Sequence, residues 1–130
     1  MLGKNWYYQR TWSPEIAEAF FERLGRCRTD EMRIKALVTQ GRSLAFDGNV
    51  GALDLVEALD GFDDRWLEAK AMLIRSYLHQ RRAEQSESHA WRKRATEREL
   101  ELGRTCDVWN DSAYRGLAFT ALQILSLIHI

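Results

Sequence analysis

The sequence predicts an all-α fold in which antiparallel helix pairs stack into a short solenoid. Three observations predict it. One proline and eight glycines stand among many Ala, Leu, Glu and Arg residues in a chain of 130, a helix-forming composition broken only at punctuation points. The apolar residues recur at intervals of three and four instead of alternating. The stretch ALDLVEALDGFDDRWLEAKAMLIRSY, residues 52–77, reads as two amphipathic helices joined by a tight acidic turn.

This hairpin organises the chain. Its first helix carries Leu53, Val56 and Leu59 on one face, widened by Ala52, Leu55 and Ala58. Gly61 is expected to supply a left-handed cap, and Asp63 or Asp64 to accept the first free amides of the second helix. That helix has two adjoining stripes, Trp66, Leu73 and Tyr77 on one and Leu67, Ala71, Ile74 and Leu78 on the other. The combined face is too wide for a single neighbour, so this helix should touch helices on both sides. Such an arrangement suggests a stack of helix pairs with a binding face.

In chain order, residues 1–12 hold Trp6, Tyr7, Tyr8 and Trp12 without a clean period. They read as an extended lead-in whose rings pack over the end of the first helix, or else as a ligand-stacking patch. Ser13 looks like an N-cap, with Pro14 at the first helical position and Glu15 behind it. Ile16, Phe20, Leu24 and Cys27 then form the apolar face, with Cys27 as a small core residue. Thr29, Asp30 and Glu31 open a second helix, faced by Ile34, Leu37, Val38, Gly41, Leu44 and Ala45, and Gly48 ends it. A glycine inside a helix costs about 1 kcal/mol relative to alanine. Gly41 therefore points to a helix crossing closely there. Asn49 is expected to cap the helix that follows.

Beyond Tyr77 the apolar positions thin to Ala83, Ala90, Trp91, Ala95 and Leu102, so this segment reads as mostly solvated. Ser86, Glu87, Ser88 and His89 are expected to divide it, because serine disfavours helix interiors and seeks caps. Gly103 should close it. Residues 104–110 read as a loop, and a last helix from Asp111 would place Tyr114, Leu117, Ala118, Ala121 and Leu125 on one side. Its apolar end from Leu117 to Ile130 falls short of the roughly 20 residues that span a bilayer. Residues 125–130, LSLIHI, resemble the translated adapter sequence found at the ends of reading frames from shotgun assemblies. Two expectations stand for this tail: a natural chain that continues further, or a C-terminal helix buried in the groove.

The length suits one domain, 1–130, and needs no disulfide staples. The two cysteines, Cys27 and Cys106, are far apart, and MLGKNWYYQR lacks the apolar run of a secretion signal. Reduced thiols and a cytoplasmic location are the expectation. The 19 basic and 19 acidic residues cancel, leaving no global field to favour nucleic acid or an anionic membrane. Locally the balance alternates: +3 over residues 1–46, −5 over 47–74, +4 over 75–98 and −2 over the rest. Facing blocks of opposite sign predict complementary helix surfaces.

Within residues 30–103 the small and bulky positions resemble a degenerate tetratricopeptide repeat. Gly41 and Leu44 match the family's first helix, Gly48 its turn, and Ala52, Val56 and Leu59 its second helix, with the turn about one residue short. Leu73 and Tyr77 fit the first helix of a second repeat, and Trp91 and Ala95 fit its second helix with an insertion around residues 85–89. The family's proline after the second helix is missing, and Leu59 replaces its usual alanine. The resemblance implies an all-α solenoid that binds proteins or peptides and performs no chemistry.

No catalytic constellation stands out in the sequence. His79, His89 and His129 share no metal-ligand spacing with each other or with the cysteines. Cys106 lies beside Asp107, a charge that raises a thiol pKa. The glycines form no phosphate-cradling loop. Asp60, Asp63 and Asp64 lack the ligand ladder of a calcium loop and suit helix capping. No catalytic, cofactor-binding or metal residue is expected, and the chain reads as a non-enzyme.

The strongest polar feature is the basic stretch of Arg75, Arg81, Arg82, Arg92, Lys93, Arg94 and Arg98. It reads as a solvated face, or as a surface for an acidic peptide or nucleic acid. The expected function is a non-enzymatic helical-repeat module that binds a protein or peptide, with Arg75, Tyr77, Arg82 and Trp91 as its contact residues. A nucleic-acid-contacting surface over residues 75–98, with Trp91 stacking on a base, is the alternative, disfavoured by zero net charge. Neither a cofactor nor a membrane is expected as a partner.

Overall fold

A computed structural model describes residues 2–103, which form five α-helices and no strand. They are α1 (Pro14–Gly25), α2 (Asp30–Phe46), α3 (Ala52–Asp60), α4 (Arg65–Arg81) and α5 (Gln85–Leu102). The loop, last helix and tail expected after Gly103, with Cys106, lie outside the described residues.

Three helix starts follow the sequence. Ser13 Oγ accepts from the Ile16 N–H at 3.2 Å with Pro14 behind it, and Thr29 Oγ1 accepts from Met32 at the same distance. Asp64 Oδ1 takes the N–H groups of Trp66 and Leu67 at 2.8 and 3.0 Å. Each cap fills donors that a helix start leaves open, worth about 1 kcal/mol. Gly48 and Gly103 end α2 and α5 with φ of +71° and +66°.

Several local expectations are corrected. Gly61 is right-handed, at φ −66°, and the left-handed residue of that turn is Asp63, at φ 52°. The Gly61 N–H still closes onto the α3 carbonyls, so the reversal falls two residues later, on a residue type that tolerates it. Asn49 Oδ1 takes the Gly51 N–H at 2.8 Å, forming a turn before α3 in place of the expected cap. The break expected at residues 86–89 falls at Arg82–Glu84, where Ala83 has φ 60°. Ser88 is instead bonded across to α4: Ser76 Oγ donates to the Ser88 carbonyl and Ser88 Oγ to the Ser76 carbonyl, both at 2.9 Å. Leu53 is exposed, because the buried stripe of α3 runs through Ala52, Leu55, Val56 and Leu59.

The core forms where α2, α3 and α4 meet. Leu37, Leu44, Leu55, Val56, Leu59, Ile74 and Leu78 are buried almost completely, each contributing about 1.5–3 kcal/mol. At its centre is Gly41. A Cβ there would lie 3.2 Å from Leu55 Cβ and 3.4 Å from Ile74 Cδ1, so the missing side chain sets the closeness of the crossing. Helix α4 packs on α2 and α3 with one side and on α5 with the other, the two-sided role its width predicts.

Helix α1 is attached differently. None of the substantial helix-on-helix packings involves it. It is joined through the aromatic lead-in, with Trp6 and Trp12 centred 5.3 and 5.4 Å from the buried Phe20 and with Phe21 beside them. Cys27, expected in the core, is half-buried at its edge, with Sγ 3.8 Å from the Arg23 carbonyl. No helix among the described residues is long and apolar enough to cross a membrane.

The Gly41 crossing makes a testable prediction. Gly41→Val should lower stability by about 1–3 kcal/mol through overpacking. Gly41→Ala should change it little, because a helix-propensity gain of about 1 kcal/mol offsets the tight contact. Urea midpoints of the two variants provide the measurement.

Candidate functional site

The α4–α5 seam carries the residues singled out by sequence. Trp91 on α5 is half-buried, and two guanidinium groups approach its ring: Arg75 from α4, 4.7 Å from the centroid, and Arg94 from α5, at 4.8 Å. Arg75 is aimed by Asp60 at the end of α3, whose Oδ2 accepts from Nη2 at 3.0 Å. Tyr77 belongs elsewhere. Two residues of helix turn a side chain by about 200°. Arg75 and Tyr77 therefore flank the seam on opposite sides, with the Ser76–Ser88 bonds between them. Tyr77 meets Arg92, whose Nη1 lies 3.4 Å from its hydroxyl oxygen. Arg82 sits at the far end of α4, where it donates to the Gly48 carbonyl at 3.2 Å and to Glu84 at 3.1 Å. Of the four expected contact residues, the fold brings Arg75 and Trp91 together and separates Tyr77 and Arg82 from them.

Much of the positive charge is already engaged. Arg75 pairs with Asp60, Arg98 with Glu68 at 2.6 Å, and Arg65 with Glu101. Arg81 lies over the Phe46 ring at 4.6 Å and donates to its carbonyl at 2.7 Å. The acidic block of residues 47–74 thus meets the basic block after it, as the alternation predicts. Lys93 and Arg94 remain exposed beside Trp91.

Three buried polar residues were not legible as sites. Lys70 is 6% exposed, with its ammonium 4.1 Å from the Trp66 ring centre. The i,i+4 spacing of Trp66 and Lys70 was the available signal. Glu99 is buried on α5. Gln40 is fully buried on α2, and its amide grips the lead-in: Oε1 accepts from the Gln9 N–H at 2.5 Å, and Nε2 donates to the Gln9 carbonyl at 2.7 Å. A polar side chain lying between Leu37 and Leu44 on an apolar stripe was the sign that it had a partner.

Among the described residues, no three His, Cys, Asp or Glu side chains gather closely enough to hold a metal ion. Compared with protein-family models, curated proteins and solved structures, the chain matches none.

At the end of α4, the hydrogen bond to the His79 ring holds the half-buried Glu84 carboxyl below its ordinary 4.5; desolvation opposes this and the charge of Arg82 assists it. A carboxyl depressed in the fold contributes stability above its unfolded pKa and loses it as pH falls through the folded value. The stability difference between the wild type and Glu84→Gln should therefore be constant at neutral pH and shrink below about 4.5. Thermal midpoints of both proteins across the acid range measure it.

Proposed function

We propose that the protein is a non-enzymatic helical-repeat module of tetratricopeptide-like type, working in the cytoplasm, that binds an acidic protein or peptide segment on the face around Trp91. The observation that carries this reading is the half-buried Trp91 indole, approached by the guanidinium groups of Arg75 and Arg94 with Lys93 exposed beside it. Tryptophan and arginine dominate binding hot spots, since they combine large apolar area with fixed hydrogen-bonding geometry. Two cations at one ring favour carboxylate side chains beside an apolar one. The repeat reading is supported by the packing order, in which each of α2, α3 and α4 packs on the next helix and α2 also packs on α4. A stack of helix pairs requires that order. Nucleic acid is the weaker reading, because 19 basic and 19 acidic residues leave the chain no net positive charge to gather phosphates.

Titration with labelled peptides rich in Asp, Glu and Phe tests the proposal. Trp91→Ala should weaken binding at least about tenfold, the scale of a hot-spot tryptophan. Arg94→Glu should weaken it and flatten its salt dependence. Tyr77→Ala, on the other flank of the seam, should leave it unchanged. Absence of peptide binding, together with salt-sensitive binding of single-stranded RNA, overturns the reading.

A further inference from the structure

We propose that the cavity between the N-terminal arm and the last turns of α2 binds a nucleoside monophosphate. It shares no residue with the Trp91 face, and the inference does not depend on that reading. The cavity holds about 460 Å³, within the range of about 300–1,000 Å³ usual for small-molecule sites. Tyr8 and Arg10 line it from the arm, and Arg42, Ser43, Phe46 and Asp47 line it from α2. Each side thus supplies one aromatic ring and one guanidinium group. The rings are open to a ligand. Among the described residues, the two aromatic side chains that are exposed are Tyr8, at 54%, and Phe46, at 51%, and both border this one cavity.

The arm is a fixed wall of this cavity. Trp6 is buried in the core cluster, and the fully buried Gln40 holds the Gln9 N–H at 2.5 Å and the Gln9 carbonyl at 2.7 Å. Further along, the Trp12 indole lies against Gly51, where a Cβ would fall 2.2 Å from Trp12 Cδ1, and its Nε1–H donates to Asp54 Oδ2 at 2.9 Å. Tyr8 and Arg10 flank the held Gln9, and Arg42 follows Gln40 by two residues on α2. One buried contact therefore sets both walls, so a ligand does not have to order them on arrival.

Each part of a nucleotide meets a matching group. Any nucleobase has a flat π-face that stacks on an aromatic ring, the use open to Tyr8 and Phe46. Phosphate takes paired, charge-assisted hydrogen bonds from guanidinium groups, here Arg10 and Arg42. Sugar hydroxyls donate to a carboxylate, which only accepts, and can exchange bonds with a hydroxyl, the roles of Asp47 and Ser43. The C-terminus of a helix by itself repels an anion. In α2 this repulsion is offset. Arg81 Nε donates to the Phe46 carbonyl at 2.7 Å, with its guanidinium 4.6 Å from the Phe46 ring centre, and Arg82 donates to the Gly48 carbonyl at 3.2 Å.

Calorimetric titration of the full chain with AMP, adenosine and ribose 5-phosphate tests the proposal. AMP should bind with a dissociation constant below about 1 mM, and the other two at least about tenfold more weakly, because each lacks one recognised part. Tyr8→Ala should weaken AMP at least about fivefold through the lost stacking, and the salt dependence of binding should stay. Arg10→Gln should weaken AMP about as much and reduce the salt dependence, since it removes a charge that faces the phosphate. Both side chains are exposed, so the thermal midpoints of the two variants should match the wild type. Three results overturn the proposal: no AMP binding up to about 1 mM, ribose 5-phosphate binding as tightly as AMP, or Tyr8→Ala binding AMP like the wild type.

Discussion

The missing side chain at Gly41 sets how closely α2 approaches α3 and α4, and the rest of the packing is built outward from that crossing. With Leu55 and Ile74 seated against bare backbone, the three helices close into one apolar centre. α4 is then fixed with its second face turned outward, and α5 covers it. A larger residue at position 41 would push on both partner helices at once, which cores packed to crystal-like density do not absorb. The helical cost of one glycine is small beside the apolar burial that the crossing permits.

Charge acts on a different scale. Exposed ion pairs contribute little, with a median near 0–1 kcal/mol. The Arg98–Glu68 and Arg65–Glu101 pairs therefore matter less for stability than for register. Both join α4 to α5, and with the paired serines further along the seam they admit one alignment of α5, while Arg75–Asp60 ties α4 to α3. Among the described residues, Ala95 is the one buried apolar residue of helix α5, which could not choose its own alignment by burial alone. A side effect is that guanidinium groups are pinned over Trp91, where they form a surface.

The sequence was most informative where one residue type has one physical use. Ser13–Pro14, Thr29, Asp64, Gly48 and Gly103 mark helix ends through caps and left-handed turns, and all lie where expected. Periodicity also identified α4 as a two-sided helix. Legibility ended where the outcome rests on contacts between distant segments. Ser88 reads locally as a cap but is satisfied by Ser76 across the seam. Gln40 reads as an interruption of an apolar stripe, and its partner lies 31 residues away. At the surface, the linear spacing of Arg75 and Tyr77 concealed their separation around α4. The grouping of Arg75 with Trp91 depends on where α5 lands, which no local pattern states.

The attachment of α1 bears on the order of assembly. Helices α2 to α5 join mainly to near neighbours along the chain, so their contacts close short loops and form early. The N-terminal arm cannot join them until Gln40, Gly51 and Asp54 exist as one surface. During synthesis it is made first and seated late. In that interval Trp6, Trp12, Phe20 and Phe21 have only one another for cover. The tilted and edge-on ring contacts among them describe a cluster that can shield itself before its seat is complete.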